Sequence, residues 1–155
     1  MTEQQLKNLV TEVVKSLGND MTLDLALTLT EKVKARAKEM GVNAVIAVSN
    51  SAGNPVSVQC MDESYIASYD VAFNKAYTVV ALKMPTTTLK ELAAPGGSLY
   101  GIQFTNSGKI VIFGGGVPLY NKAGKIIGGL GVSGGSEGED TSLAEYGGEV
   151  FKSLI

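Results

Sequence analysis

The chain contains no histidine, and that absence removes more chemistry than any residue present supplies. Lost with it are the commonest general base near neutral pH, every Ser-His-Asp or Cys-His arrangement, and the usual nitrogen ligands of zinc and haem iron. Cysteine is almost absent too. Cys60 stands alone, and with no histidine to lower its pKa it reads as a small, half-buried strand residue rather than a nucleophile. No apolar run reaches the roughly 18 residues of a membrane-spanning helix. Met1-Thr2-Glu3-Gln4-Gln5 does not resemble a signal peptide, so the expected location is the cytoplasm, with no membrane partner. A charge excess is missing as well: net −2 and a pI near 5.2 leave no electrostatic footprint for nucleic acid. The basic residues Lys32, Lys34, Arg36 and Lys38 are interleaved with Glu31 and Glu39, as on a solvated helical face.

What is present is a composition suited to one folded domain over residues 1–155, with 45% apolar and 18% charged residues. The most patterned stretch runs from Thr105 to Asp140, where short β-branched runs alternate with glycine clusters. Ile110–Phe113, Val117–Tyr120 and Lys125–Ser133 are expected strands of an antiparallel meander, because the links between them are too short for a crossover helix. Asn121-Lys122-Ala123-Gly124 closes one hairpin and Gly114-Gly115-Gly116 the other. Gly129-Leu130-Gly131-Val132-Ser133-Gly134 spells G-x-G-x-x-G, but a dinucleotide site needs a βαβ unit with an acidic residue about 20 positions on, and the chain ends first. No phosphate loop is present, and Glu137, Glu139 and Asp140 at the last helix start suit the helix dipole and repel an anion.

Elsewhere the periodicities are helical and strand-like in turn. Thr2-x-x-Gln5 can form a capping box ahead of Leu6, Leu9, Val10, Val13, Val14 and Leu17, with Gly18 as the stop. Thr22 or Asp24 opens a second helix whose apolar face is Ala26, Leu29, Val33, Ala37 and Met40, ending at Gly41. Val42–Val48 and Val56–Met61 form a hairpin around Asn50-Ser51-Ala52-Gly53-Asn54. After Asp62 the pattern is helical to Met84-Pro85, then Thr86–Ala93 adds a short helix, and Leu143, Tyr146, Gly147, Val150, Phe151 and Leu154 mark the last. The order α-α-β-β-α-β-β-β-α predicts an α+β fold of one five-stranded antiparallel sheet with helices on its faces, like profilin or sensory PAS-type domains. Apolar faces on four helices exceed what such a sheet covers, so a homo-oligomer is expected.

These residues carry a resemblance. Val45-Ile46-Ala47-Val48, Gly53-Asn54-Pro55-Val56, Met61-Asp62, Asn74-Lys75-Ala76-Tyr77-Thr78, Phe113-Gly114-Gly115-Gly116-Val117-Pro118-Leu119 and Gly128–Gly135 are similar to the GlcG/HbpS family, also found as the C-terminal domain of PduO-type proteins. The match runs from about Thr22 to Leu154. The resemblance implies a profilin-like fold, homo-oligomers, and a haem- or corrinoid-related role beside glycolate or cobalamin-dependent diol and glycerol metabolism. The sequence departs from the family pattern at Cys60, where arginine is frequent. Lacking histidine, it excludes histidine ligation of haem, leaving Tyr, Met, Lys or Cys60 as the side chains that could hold iron.

The same motifs supply the candidate site. Asp62 is a helix cap or a polar anchor. Lys75, among Phe73, Ala76 and Val79, either snorkels to solvent or forms an internal ion pair. Thr78 either joins Lys75 at one ligand or bonds back to its own helix. Three consecutive glycines cost backbone entropy, which argues for a close approach at Gly114, Gly115 and Gly116. The expected ligand-binding site is therefore where Gly114–Gly116 meets Asp62 and the Lys75–Thr78 face. The functional expectation is a non-catalytic small-ligand-binding or accessory protein. The alternatives are an enzyme acting through Asp62 and Lys75, with Tyr100 or Tyr120, and a structural or chaperone-like partner of a larger enzyme.

Overall fold

The computed structural model describes residues 1–17 and 20–155, with side chains placed for residues 1–14 and 20–155. Among the described residues, five α-helices and four strands follow in the order α1 (Glu3–Leu17), α2 (Leu23–Glu39), β1 (Val45–Asn50), β2 (Pro55–Cys60), α3 (Ile66–Ala81), α4 (Thr86–Leu92), β3 (Gly116–Tyr120), β4 (Ile126–Ser133) and α5 (Glu137–Leu154). The strands form one antiparallel sheet in the order β2-β1-β4-β3. Three helix starts are capped by side chains as their sequences dictate, while α3 and α4 begin after Tyr65 and Pro85 with no side-chain cap bond. Thr2 and Gln5 exchange both bonds of a capping box, Thr22 accepts from Leu25 N–H, and Ser136 and Glu139 form a second box at α5. The expected stop at Gly18 lies outside the described residues.

Two turns of matching sequence shape the hairpins. Asn50 Oδ1 accepts from Ala52 and Asn54 N–H, and Asn121 Oδ1 accepts from Ala123 and Lys125 N–H. Each turn closes on a glycine in the left-handed region, Gly53 at φ +77° and Gly124 at φ +79°.

The expected fifth strand does not form, which corrects the strand count from five to four. Ile110–Phe113 is irregular because its neighbourhood hydrogen-bonds to side chains instead of to a ladder. Val111 N–H goes to Thr78 Oγ1, Gly114 N–H to Glu137 Oε1 and Gly116 N–H to Thr86 Oγ1. Gly114–Gly116 is accordingly no hairpin turn but the lead into β3.

The sheet has two unlike faces. On one, α2 and α5 bury Leu29, Val33, Ile46, Val48, Leu130, Val132, Leu143 and Phe151 in the main core. On the other, Ala72 and Ala76 of α3 lie against Val45 and Ala47 of β1. Strand β1 is thus covered on both sides, which is why Val45-Ile46-Ala47-Val48 is an unbroken apolar run instead of an alternating one. In β4 the alternation is between sizes: Leu130 and Val132 face the main core, while Gly129 and Gly131 face α3. A Cβ on Gly129 would stand 2.3 Å from the Ala76 carbonyl oxygen, and one on Gly131 2.1 Å from that of Ala72. The glycine-rich motif therefore lets a helix backbone rest directly on the sheet.

Candidate functional site

The bare patch made by these glycines receives Val79 and, more unusually, Lys75 from α3. The lysine stem passes over Gly116 and Gly131, which face each other across β3 and β4; their added Cβ atoms would meet Lys75 Cβ at 3.3 and 2.9 Å. Its ammonium reaches Gly115, held at φ +114°, where a Cβ would lie 2.5 Å from Nζ. A side chain at 115 would displace the cation, so Gly115 and Gly116 serve the lysine, while a Cβ at Gly114 would instead meet Thr141 Oγ1.

Lys75 is wholly buried, at 0% exposure. Its Nζ donates to the Val132 carbonyl at 2.7 Å and to Asp140 Oδ2 at 3.3 Å, and the Phe113 ring stands over it at 5.0 Å. Asp140, also buried, accepts from Gly135 N–H through its other oxygen at 2.8 Å. Burial lowers the Lys75 ammonium below its ordinary value, against the pull of Asp140. Burial likewise raises the Asp140 carboxyl, against Lys75 and the Gly135 and Gly134 amides. Desolvation thus pushes both members toward their neutral forms while their mutual attraction resists. Glu137, one turn earlier, lies below the usual carboxylate range because Lys90 and Gly114 N–H donate to it.

Asp140 opens onto a cavity of about 280 Å³ between α3 and α5, lined by Tyr65, Ser68, Val71, Phe113, Ser133 and Glu137 among others. Two aromatic side chains and two carboxylates surround the hydroxyls of Ser68 and Ser133, which bond to each other at 3.1 Å. Such an arrangement can hold a small polar molecule against an aromatic wall, with proton donors and acceptors in reach.

Of the expected site residues, the fold brings together Lys75, Gly114, Gly115 and Gly116. Two others go elsewhere. Thr78 bonds back to the Asn74 carbonyl at 2.7 Å and accepts from Val111 N–H at 3.0 Å, so it ties residue 111 to α3 and does not share a ligand position with Lys75. Asp62 is exposed and lines a different cavity with Cys60, Met61, Lys34 and Lys38. Nor are the glycine amides all open to a ligand, since Gly114 and Gly116 donate to Glu137 and Thr86. Sequence reasoning missed Asp140. Its signal is weak, because Glu137-Gly138-Glu139-Asp140 reads as an acidic first helical turn, and only the packing of α5 beside Lys75 singles out its fourth residue.

Comparison with known proteins adds a family to this geometry. The family model described as Haem degrading protein HbpS-like matches residues 21–149. The chain belongs to the HbpS-like family. Among HbpS-like relatives, the uncharacterised 15.0 kDa protein of the dhaT-dhaS intergenic region of Citrobacter freundii is 42% identical over 134 residues, covering 86% of this chain and 94% of the relative. The corrinoid adenosyltransferase PduO of the same organism is 33% identical over 145 residues; the match covers 94% of this chain but only 43% of PduO. Among solved structures, the PduOC:heme complex superposes with a TM-score of 0.80 at 33% identity, over 84% of this chain and 94% of that one. The HbpS-like match begins at residue 21, after α1.

Proposed function

We propose that this protein binds a small ligand at the α3–α5 cavity in a haem- or corrinoid-related accessory role, and performs no reaction of its own. The observation that carries the reading is the buried Lys75–Asp140 pair, whose Asp140 lines the cavity. A buried ion pair is a poor source of stability compared with apolar side chains of similar volume. Its presence under Phe113, in a bed of glycines, marks a place where charge is kept for a ligand. On this reading Lys75 and Asp140 set the field of the site, Gly114–Gly116 make room for it, and Tyr65, Phe113 and Glu137 contact the ligand. Thr78 acts as a positioning residue, and Asp62 falls outside.

The haem relation comes from the relatives, of which one is a haem complex and others are named corrinoid adenosyltransferases. At about 280 Å³ the cavity is below the roughly 300–1,000 Å³ of a pocket that encloses a drug-sized ligand. A tetrapyrrole would not be enclosed here. It would lie across the exposed lip of Tyr65 and Phe113, where the Tyr65 phenol is the lining group of an iron-ligating type. Bound there, haem would supply redox chemistry; the residues of this chain supply a phenolate ligand, an aromatic contact and the buried charges beneath.

The remaining parts of the reading are a profilin-like classification of the fold, a cytoplasmic setting and a homo-oligomer. The last is supported by large apolar side chains left exposed around the cavity mouth and the following loop, including Tyr65, Ile66, Tyr69, Tyr100 and Phe104.

Native mass spectrometry of the protein purified from its own source tests the proposal. A retained small molecule, unchanged on incubation and lost in the Lys75→Met/Asp140→Leu double variant, is the expected result. Added haemin should bind weakly, without the spectrum of histidine-ligated iron, and Tyr65→Phe should weaken it further. Retention unaffected by the double variant would put the site elsewhere. Turnover of the bound molecule would favour the enzyme reading instead, with Asp140 in the part first expected of Asp62; the drift of both buried groups toward neutrality is what such proton exchange would use.

A further inference from the structure

Among its described side chains, helix α1 buries nothing. Every described side chain from Met1 to Val14 is exposed, and Leu6, Leu9, Val10, Val13 and Val14 show 47–56% of their surface along one stripe. The helix is nonetheless well made, with a capping box at Thr2 and Gln5 and a Glu3–Lys7 pair across one turn. The domain proper starts after it. Asp20 accepts from Ser51 N–H at 2.8 Å, Met21 joins the main core, and the family match opens at residue 21. A 15-residue helix is marginal in water by itself, so a helix whose N-terminal cap is set and whose apolar stripe is exposed to solvent is built to be stabilised by something it touches.

Three coverings are available, and two fit poorly. A membrane surface calls for a basic polar face and aromatic anchors, whereas residues 3–17 carry Glu3 and Glu12 against Lys7 and Lys15 and no aromatic residue. A second α1 gives too little area. The five exposed apolar side chains offer roughly 400 Å² per helix, so two stripes face to face bury on the order of 800 Å², short of the roughly 1,200–2,000 Å² of a stable specific interface. A preformed groove wraps the stripe on both sides and meets that need, as in helix-in-groove recognition, where anchors recur at i, i+3, i+4 and i+7. Leu6, Leu9, Val10 and Val13 have that spacing.

We propose that α1 is a docking helix that lays the Leu6–Leu9–Val10–Val13 stripe into an apolar groove, about 22 Å long, on a different protein. The partner groove has apolar walls and no net charge requirement at its rim, because the polar face of α1 is balanced. Docking through α1 holds the domain on a larger assembly while leaving the sheet and the α3–α5 cavity untouched.

The test uses the full chain in its source cells, with a photo-crosslinking amino acid at Val10 on the stripe or at Asn8 on the polar face. The crosslinked protein is identified, purified and titrated with full-length chain and with Leu9→Glu/Val13→Glu. The expected result is one partner other than the chain itself, crosslinked from Val10 and not from Asn8. Its affinity should fall roughly tenfold or more in the double variant, with thermal unfolding of the domain unchanged. Light scattering of the same variants and cosedimentation with phosphatidylcholine–phosphatidylserine vesicles run alongside. Crosslinks only to a second copy, with an oligomer that dissociates on Leu9→Glu/Val13→Glu, overturn the proposal; so do vesicle binding that depends on the stripe, and an absence of crosslinks from Val10.

Discussion

The two faces of the sheet are built to opposite plans. Toward α2 and α5 the sheet presents Ile46, Val48, Leu119, Leu130 and Val132, and receives Leu29, Val33, Leu143 and Phe151. Toward α3 it presents Val45, Ala47, Gly129 and Gly131, and receives Ala72, Ala76 and the stem of Lys75. The first face holds the fold together by apolar burial. The second gives up side-chain volume so that a helix backbone and a buried cation come close, at a cost in desolvation. A core and a site share one sheet here because strand residues alternate sides, so β4 can carry leucine and valine for one neighbour and glycine for the other.

Substitutions on the two faces should therefore fail differently. Phe151→Ala, in the large core, should cost about 3–5 kcal/mol by cavity formation, measured by denaturant unfolding, while the folded fraction keeps its ligand. Lys75→Met should cost a similar 3–5 kcal/mol, because it strands Asp140 in the interior. The comparison sharpens with Lys75→Met/Asp140→Leu, which should regain most of that loss and still fail to retain ligand. A double variant no more stable than Lys75→Met would show that the second face relies on its charges for stability after all.

Glycines give a finer contrast. Gly131→Ala drives a methyl into the Ala72 carbonyl, 2.1 Å away, and should cost about 1–3 kcal/mol by overpacking. Gly148→Ala in α5 meets only Val117 Cγ2 at an ordinary 3.4 Å and should stabilise by about 0.5–1 kcal/mol through helix propensity. If both substitutions were neutral, the close approach of α3 to β4 would not be what demands glycine.

The smallest effect is a pH slope. The folded Asp140 pKa lies above 3.8, so its contribution to stability is fully present below about 3.8 and is lost as pH rises through the folded value. Lys75 lies below 10.5. Its neutral form is favoured by folding, so its contribution is lost as pH falls from 10.5 through the folded value. Unfolding free energies followed from pH 4 upward should therefore show a downward component in the wild type that Asp140→Asn lacks. Parallel curves for the two proteins would mean that Asp140 titrates alike in the folded and unfolded chains.

Local grammar is legible in the residues alone. Thr22, Thr2-x-x-Gln5, Gly41 and the twin Asn-x-x-Gly turns specify ends and hairpins through bonds between residues a few positions apart, and these hold. Helical periodicity likewise marks the buried faces of α2 and α5, whereas α3 leaves its apolar Ile66 and Tyr69 exposed and buries Ser68, Ala72, Lys75, Ala76 and Val79. Ile110–Phe113 misleads because β-branched runs favour strands only where a neighbouring strand supplies the ladder, and here Thr78, Thr86 and Glu137 supply the acceptors instead. Half of the site can be read in the same way. Lys75 and its glycines are visible as an apolar helix face interrupted by a cation and as a surplus of turn residues.

Its other half cannot. Asp140 sits 65 positions from Lys75, and nothing local distinguishes it from Glu137 or Glu139; only the placement of the first turn of α5 beside Lys75 chooses among the three. The pairing of β1 with β4, which joins residues 45–50 to residues 128–133, is equally out of reach. By itself the sequence determined the capped starts of α1, α2 and α5, the two Asn-x-x-Gly turns and that histidine chemistry is absent, since each depends on residue type and short spacing alone. The strand order, the burial of Lys75 and the identity of its carboxylate partner were decided by the tertiary structure, because each depends on which distant surfaces exclude water from one another.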